Sequence, residues 1–327
     1  MAAIEVVTLG EALVAMVARE VGPLAEATTF ERHVAGAEAN VAVGLSRLGH
    51  ATAFVGRVGD DGFGTAVRRR LRGEGVDVSW LVTDPGAPTA MLVRERREFG
   101  SAHVSYLRTG SAGSRLRPDD VVAAFASRVL RGARWLHLTG VTPALSESAR
   151  TAVERAVELA ESAGMTISLD LNLRRKLWSD DEAAPVLRDL ATRSAVVFAS
   201  PDEAAAITGA DGGDTSALAT SLLELGPTIA VLKLGAEGAL AWGKGEAPVH
   251  RAAVPVARAI DPVGAGDAFC AGFIAARLEG GDLAWAIEIG ATCGAAVVSV
   301  VGDQAGLPDR GELERLLTGA MALDVIR

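Results

Sequence analysis

The run Asp261-Pro-Val-Gly-Ala-Gly-Asp267 places a glycine turn directly before a carboxylate, where the small and apolar segment 268–278 begins. A glycine turn can expose consecutive backbone N–H groups, and a helix start adds unpaired donors and the positive end of its dipole. Together they predict a site for an anion such as phosphate. A carboxylate there would repel phosphate, but it would serve as the base for a nucleophile that attacks phosphorus. The spacing therefore predicts phosphoryl transfer, with Asp267 as general base.

Simpler interpretations exist for these glycine-rich segments. Asp267 could be the N-cap of its helix, because Asp is a preferred cap. The run Val55-Gly-Arg-Val-Gly-Asp-Asp-Gly-Phe-Gly64 could indicate a dinucleotide site, but it fits a strand-to-helix turn better. Hydride transfer would also leave Asp267 unexplained. The sequence has no Gly-x-x-x-x-Gly-Lys-Ser/Thr run, which excludes a P-loop enzyme.

Composition narrows the class of protein. The chain has 327 residues, 49% of them hydrophobic, and a formal net charge of −9. That charge argues against a nucleic-acid partner, which would require a basic face.

No apolar run reaches the length of about 18 residues that would span a membrane. Glu5 interrupts the first apolar stretch, and no basic segment precedes it, so we expect no signal peptide. Cys270 and Cys293 lie in apolar helical surroundings and predict buried free thiols. We expect a cytoplasmic protein.

The elements that must position Asp267 alternate along the chain. Short apolar runs typical of buried parallel strands are interspersed with helical stretches, which is the pattern of a doubly wound α/β sheet. The predicted strands are 4–9, 52–58, 135–139, 166–171, 195–199 and 228–232. The predicted helices are 38–48, 64–74, 146–163, 182–192, 215–225, two after Asp267, and 310–317.

Two segments, roughly 11–35 and 89–110, lack helical periodicity and predict a small lid sheet. The stretches 89–95 and 102–108 flank Gly100-Ser101 and suggest a hairpin, either a lid over the site or an incidental surface feature. No linker is evident, so we expect one domain over 1–327 with this lid. Open edges of a projecting sheet also favour a homo-oligomer, a dimer through the lids.

Two separated runs resemble a known family. They are Gly36-Ala-Glu-Ala-Asn-Val-Ala-Val-Gly-Leu-Ser-Arg-Leu-Gly49 and Asp261-Pro-Val-Gly-Ala-Gly-Asp267. In this order the chain resembles the PfkB, or ribokinase-like, carbohydrate kinases over essentially its whole length. It looks most similar to the 2-keto-3-deoxygluconate kinases, with further matches in 108–114, 140–145 and 170–178. The resemblance implies a ribokinase-like, mostly parallel sheet with a β lid, and transfer from ATP, with Mg²⁺, to the terminal hydroxyl of a sugar acid.

The resemblance also assigns roles to individual residues. It makes Asp267 the base and gives backbone N–H groups to the transferred phosphoryl from Gly264, Ala265 and Gly266. It implies that the substrate contacts Gly36, Asn40, Tyr106, Arg108, Asn172, Arg174 and Asp267. A keto-acid sugar carries a carboxylate, and Arg108 and Arg174 are the guanidinium groups that could grip it in a bidentate manner.

Nucleotide and metal contacts are expected from a different set of residues. Lys233 ends an apolar strand, which predicts a contact to nucleotide phosphate or, alternatively, a side chain that extends to solvent. Gly235 and Gly238, with Gly264 and Gly266, would let the backbone approach the nucleotide. The family's usual Asn-x-x-Glu motif is here Ser200-Pro-Asp-Glu203, and Glu203 would organise Mg²⁺ through water. The alternative is that Glu203 is an exposed residue in the first turn of a helix, where its negative charge interacts favourably with the helix dipole.

The chain departs from its relatives at two positions near the expected substrate. Ala35 stands where many members have Gly, and Leu92 replaces an aromatic residue that ketodeoxygluconate kinases often have in the lid. Fructose is therefore the alternative substrate, since fructokinases share the Asp-x-Asn-x-Arg run. A catalytically silent sugar or nucleotide sensor on the same fold is a remoter alternative.

Overall fold

Two β-sheets organise the protein in the computed structural model, which describes residues 3–97 and 103–318. The larger has nine strands in the order β13-β12-β11-β10-β9-β8-β1-β4-β5, and the smaller has four in the order β3-β2-β6-β7. The strands of the larger sheet are β1 (Val6–Leu9), β4 (Thr52–Gly59), β5 (Leu81–Asp84), β8 (Trp135–Thr139), β9 (Thr166–Asp170), β10 (Val196–Ala199), β11 (Ile229–Lys233), β12 (Ala239–Gly243) and β13 (Val249–Arg251).

Helices connect and cover these strands. Within the described residues they are α1 (Ala37–Arg47), α2 (Gly62–Gly73), α3 (Pro118–Ala126), α4 (Arg128–Arg131), α5 (Glu147–Ser162), α6 (Asp180–Thr192), α7 (Pro201–Thr208), α8 (Thr215–Glu224), α9 (Ala265–Leu278), α10 (Leu283–Val297) and α11 (Arg310–Leu317). None of them is both long and apolar enough to cross a membrane.

The pairing in the larger sheet explains its hydrophobic strands. Strands β5, β4, β1, β8, β9, β10 and β11 pair in parallel, and only β12 and β13 are antiparallel. Helices cover both faces of a parallel sheet, so its strands are buried on both sides. Every residue of β1, β4 and β8 is buried. The predicted α/β fold class is confirmed.

The smaller sheet consists of β2 (Leu13–Val21), β3 (Phe30–Ala35), β6 (Met91–Arg96) and β7 (Val104–Leu107). It comes from the two segments that lacked helical periodicity. Strands β6 and β7 pair antiparallel as the hairpin requires, with Leu92 opposite Tyr106. The predicted Gly100-Ser101 turn lies outside the described residues.

Packing between α9 and the large sheet fixes the start of α9. Phe269 and Phe273 of α9 meet Phe198 of β10 edge-to-face, with ring centroids 6.4 and 5.1 Å apart. Aromatic pairs of this geometry add to simple burial. The predicted free thiols are confirmed, because Cys270 on α9 and Cys293 on α10 are both buried and unbridged. The first turn of α9 is therefore held at the carboxyl ends of the strands, where open α/β sheets bind ligands.

Candidate active site

A cleft of about 470 Å³ opens between the lid sheet and the carboxyl ends of the core strands. It brings together most of the residues predicted from both halves of the chain. Those that line it are Gly36, Asn40, Tyr106, Arg108, Asn172, Arg174, Glu203, Lys233, Gly264, Gly266 and Asp267. Ala265, Gly235 and Gly238 are not among its lining residues.

Asp267 is the third residue of α9, and its carboxylate faces α1 across the cleft. The N-cap of α9 is Gly264, so the alternative interpretation of Asp267 as the cap is wrong. Instead, Asn40 Nδ2 donates to Asp267 Oδ2 at 2.8 Å, and Gln304 Nε2 donates to Asn40 Oδ1 at 3.1 Å. Burial raises the pKa of Asp267 to about 7, although the bond from Asn40 opposes the shift. A carboxyl with this pKa is suited to accept a proton near neutral pH.

The glycine turn before Asp267 presents a row of backbone donors. Gly264 has φ +84°, and a Cβ there would lie 2.6 Å from the carbonyl oxygen of Asp303, so only glycine fits without displacement. Ala265 N–H already makes a long 3.3 Å bond to the Pro262 carbonyl. The N–H groups of Gly264, Gly266 and Asp267 have no hydrogen-bond acceptor within the described part of the chain. Donors at a helix start can bind an anion, and the N–H of Asp267 adds to the donors predicted at Gly264, Ala265 and Gly266.

Lys233 lies inside the cleft and has a protein partner. Its Nζ is 2.6 Å from both Oδ1 and Oδ2 of Asp170. Asp170 ends β9, which is separated from β11 by β10 in the sheet. Burial alone would lower the pKa of Lys233, but the carboxylate of Asp170 raises it, so the ammonium stays charged. The alternative that Lys233 extends to solvent is wrong, because its side chain is only 18% exposed. Gly235 and Gly238 form the turn that follows this strand.

The two arginines predicted to hold a carboxylate differ in their surroundings. Arg108 Nε donates to Glu11 Oε2 at 2.9 Å. Arg108 Nη2 donates to the same oxygen, so the two side chains form a buried ion pair. The guanidinium carbon of Arg108 also lies 5.1 Å from the ring centroid of Tyr106. Arg174 is exposed, lines the cleft, and has no ion-pair partner among residues 3–97 and 103–318. Of the two, Arg174 is the one without a close ion pair in the described residues, although its charge acts on Asp267 and lowers the pKa of that carboxyl.

Glu203 receives backbone hydrogen bonds on both of its oxygens. Leu173 N–H donates to Oε1 at 2.9 Å and Ser200 N–H donates to Oε2 at 2.8 Å. Ser200 and Glu203 form a capping box at the start of α7, which is the structural alternative for this residue. The bond from Leu173 also fixes the chain next to Asn172, whose φ of +37° turns the strand end into the cleft. No group of three or more metal-binding side chains occurs in the described residues.

Two buried carboxylates of the cleft were not assigned from the sequence. Asp170 belongs to a run that resembles the family, yet only its ion pair with Lys233 reveals its place. Asp303 lies between α10 and α11 and lines the cleft beside Arg94 of the lid. Burial raises the pKa of Asp303. No local pattern in the sequence marks Asp303, because its neighbours in the cleft are distant along the chain.

The geometry agrees with comparisons to known proteins. The chain belongs to the pfkB family of carbohydrate kinases, whose sequence pattern matches residues 3–310. It is a sugar phosphotransferase of a family that uses ATP. It is 40% identical to the 2-dehydro-3-deoxygluconokinase of Thermoproteus tenax, over 97% of this chain and 95% of that protein. It is 35% identical to the 2-dehydro-3-deoxygluconokinase of Bacillus subtilis, over 96% of each. The fructokinase of Klebsiella pneumoniae is 34% identical over 86% of this chain and 91% of its own length.

Solved structures share the whole architecture. A PfkB protein from Polaromonas superposes with a TM-score of 0.85 at 37% identity, covering 95% of this chain and 99% of that one. A provisionally assigned ribokinase II of Escherichia coli, solved with ATP and Mg²⁺, has a TM-score of 0.88 at 25% identity, covering 97% and 99%. The ribokinase-like fold predicted from the sequence is thereby confirmed.

Proposed function

We propose that this protein transfers the γ-phosphoryl group of ATP to the terminal hydroxyl of 2-keto-3-deoxygluconate, also called 2-dehydro-3-deoxygluconate. The product is 2-keto-3-deoxy-6-phosphogluconate. The observation that carries the proposal is a buried carboxylate, Asp267, at a helix start whose free N–H groups face the same cleft as the unpaired Arg174. The two ketodeoxygluconate kinases among the relatives support the choice of sugar.

In this proposal Asp267 takes the proton of the sugar hydroxyl as its oxygen attacks phosphorus. The hydrogen bond from Asn40 orients the carboxylate, and Gln304 orients Asn40. A general base is most effective when its pKa lies near the working pH, and the pKa of Asp267 is about 7. Burial, which raises that pKa, also keeps water away from the reacting hydroxyl.

The turn at 264–266 and the first turn of α9 would bind the transferred group. Phosphoryl transfer depends on positioning and charge stabilisation more than on covalent participation. The backbone N–H groups of Gly264, Ala265 and Gly266, together with that of Asp267 and the dipole of α9, would supply that stabilisation. Lys233 adds a charge, but Asp170 already balances it, so its contact with a phosphate would be shared. Gly235 and Gly238 would bring the following turn close to the nucleotide.

Magnesium fits this cleft as an ion held by ATP phosphates and water. Each oxygen of Glu203 accepts one backbone N–H and keeps a further lone pair, which suits a bond to a metal-bound water. When bound, Mg²⁺ would neutralise charge on the phosphates. Glu203 would orient that water while it also caps α7.

The sugar end of the substrate would lie against Gly36 and Asn40, with Tyr106 and Asn172 beside it. We assign its carboxylate to Arg174, because a guanidinium without a partner gains most from a bidentate contact. Arg108 would contribute from the lid through the face of Tyr106, with its own charge held by Glu11. Fructose has no carboxylate, so this arrangement favours the keto acid.

The test is ADP release from ATP with Mg²⁺ against 2-keto-3-deoxygluconate, fructose, ribose and gluconate. We expect the keto acid to give the highest kcat/KM. A preference for fructose would retain the role of Asp267 but overturn the assignment of Arg174. Sugar binding without ADP release would indicate the silent sensor instead.

The lid sheet also bears on the proposed oligomeric state. Strands β3 and β7 form the two edges of the lid sheet, and Leu107 of β7 is 58% exposed. Exposed edge strands favour pairing with a second copy, so we propose a dimer through the lids. A monomer by light scattering at micromolar concentration would contradict it.

We propose no membrane or nucleic-acid partner, so the kinase would act in the cytoplasm. Recovery of the protein in a membrane fraction would contradict that location.

A further inference from the structure

The lid and the phosphate-binding turn are joined by a buried ion pair. Arg94 of β6 donates from Nη1 to Asp261 Oδ1 at 2.8 Å and from Nη2 to Asp261 Oδ2 at 2.5 Å. Both side chains are less than one tenth exposed. This bidentate geometry fixes the relative orientation of the two groups as well as their distance.

Asp261 is also the anchor of the loop that leads into the turn. Its Oδ1 accepts Val263 N–H at 3.2 Å and its Oδ2 accepts Gly302 N–H at 3.1 Å. Three segments therefore converge on one carboxylate: the lid strand β6, the 261–266 turn and the loop at 302. Moving this carboxylate would shift the backbone that carries the donors of Gly264 and Gly266.

A second lid contact lies beside the ion pair. Gly302 has φ +100°, and a Cβ there would lie 2.6 Å from Nδ1 of His33 on β3. The next residue, Asp303, has its carbonyl directly against Gly264. The lid thus contacts the turn by two neighbouring routes, through Arg94 to Asp261 and through His33 to the 302–303 loop.

We propose that Arg94 is a positioning residue whose ion pair with Asp261 places the Gly264–Gly266 donors correctly only while the lid covers the cleft. The sugar lies under the lid, so lid placement over the sugar and organisation of the phosphate site become one event. The pair supplies no group to the reaction itself. This inference rests on the proposed phosphoryl transfer.

The experiment measures kcat, KM for the sugar and Tm for Arg94→Met, Arg94→Lys, Asp261→Asn and the double variant Arg94→Met with Asp261→Asn. It uses whichever sugar the wild-type protein phosphorylates, so a wrong substrate assignment does not affect it. We expect Arg94→Met to lower kcat about 10²-fold, the size of loss that a misplacement of about 1 Å produces. KM for the sugar should change little, since the loss occurs in the transition state.

Two comparisons separate positioning from loss of stability. Arg57→Met is the matched control, because Arg57 forms a buried ion pair with Asp84 and Asp120 and does not line the cleft. We expect it to lower Tm and leave kcat unchanged. Arg94→Lys keeps the charge without the bidentate geometry and should fall between wild type and Arg94→Met, which keeps the test valid if the latter does not fold.

The double variant decides whether the pair acts as a unit. The kcat of the double variant should be no lower than that of the less active single variant, because either change alone already breaks the ion pair. Losses that multiply, a rise in KM with unchanged kcat, or an equal kcat loss in Arg57→Met would each overturn the proposal.

Discussion

The two walls of the cleft use their arginines differently. On the lid, Arg94 and Arg108 are buried and each is bound to a carboxylate, Asp261 and Glu11. On the core wall, Arg174 is exposed to the cleft and has no such partner within the described residues. A buried ion pair adds little net stability to the protein, but removing one partner is strongly destabilising because the other charge is then buried without compensation. We infer that the paired lid arginines hold the structure in place, whereas Arg174 and the proposed base Asp267 are left for ligands.

The largest effect should come from Asp267, the proposed base on the core wall. Asp267→Asn keeps the shape of the side chain but removes the proton acceptor, and we expect kcat to fall ~10²–10⁴-fold. Asp282→Asn is the matched control, since Asp282 only caps α10 by accepting Trp285 N–H. A rate near wild type in Asp267→Asn would assign the base to another residue.

The next effect should distinguish the free arginine from its neighbour. Arg174→Met should raise KM for the keto acid by about 10- to 100-fold, the value of a lost hydrogen bond to a charged group. Any activity with fructose should be much less affected. Arg175→Met is the control, because Arg175 pairs with Asp180 on the surface, with Nε and Oδ1 2.8 Å apart. Equal KM values for Arg174→Met and wild type would remove Arg174 from the substrate site.

A smaller effect on binding, with a larger one on stability, should mark the lid arginine. Arg108→Met leaves Glu11 buried without its partner, which costs about 3–5 kcal/mol of unfolding free energy. Adding Glu11→Gln should recover much of the lost Tm, because the buried charge is then gone. If Arg108→Met instead raised KM as much as Arg174→Met with Tm unchanged, the contrast between the two walls would be lost.

The sequence predicted the elements of this architecture well where burial enforces a pattern. The continuous apolar strands, such as 135–139, coincide with the observed β8, and 310–317 coincides with α11. It missed β12 and β13, the antiparallel strands at one end of the sheet, because Ala239–Gly243 contains no β-branched residue and Val249–Arg251 is only three residues long. The short helix α7 was foreseen only as the first turn around Glu203.

The candidate site was predictable only in part, for a physical reason. Asp267 and Gly264 stand out because a turn and a helix start are local features of the chain. The partners of Arg108 and Lys233 are Glu11 and Asp170, 97 and 63 residues away, so spacing could not reveal that both cations are already paired. Residue type and spacing identify a cation that could bind a ligand, whereas the fold is needed to show whether a carboxylate already balances it.

The smallest effect concerns two buried carboxyls that share a pKa but differ in position. Burial raises the pKa of both Asp267 and Glu38 to about 7, yet Glu38 binds Thr139 and Thr142 and does not line the cleft. When the pKa of a carboxyl is higher in the folded than in the unfolded chain, the free energy of unfolding of the protein decreases as the pH rises between those two pKa values. Asp267→Asn and Glu38→Gln should therefore each show a Tm advantage over wild type that grows from about pH 4 to about pH 7 and levels off at higher pH.

Only one of these carboxyls should also control the reaction. In wild type the acidic limb of kcat/KM should have a pKa near 7, since Asp267 must be deprotonated to act. Glu38→Gln should keep that limb while it shows the same Tm trend. If Glu38→Gln abolished the limb, the titrating group would not be Asp267, and the division between reactive and structural carboxyls would have to be redrawn.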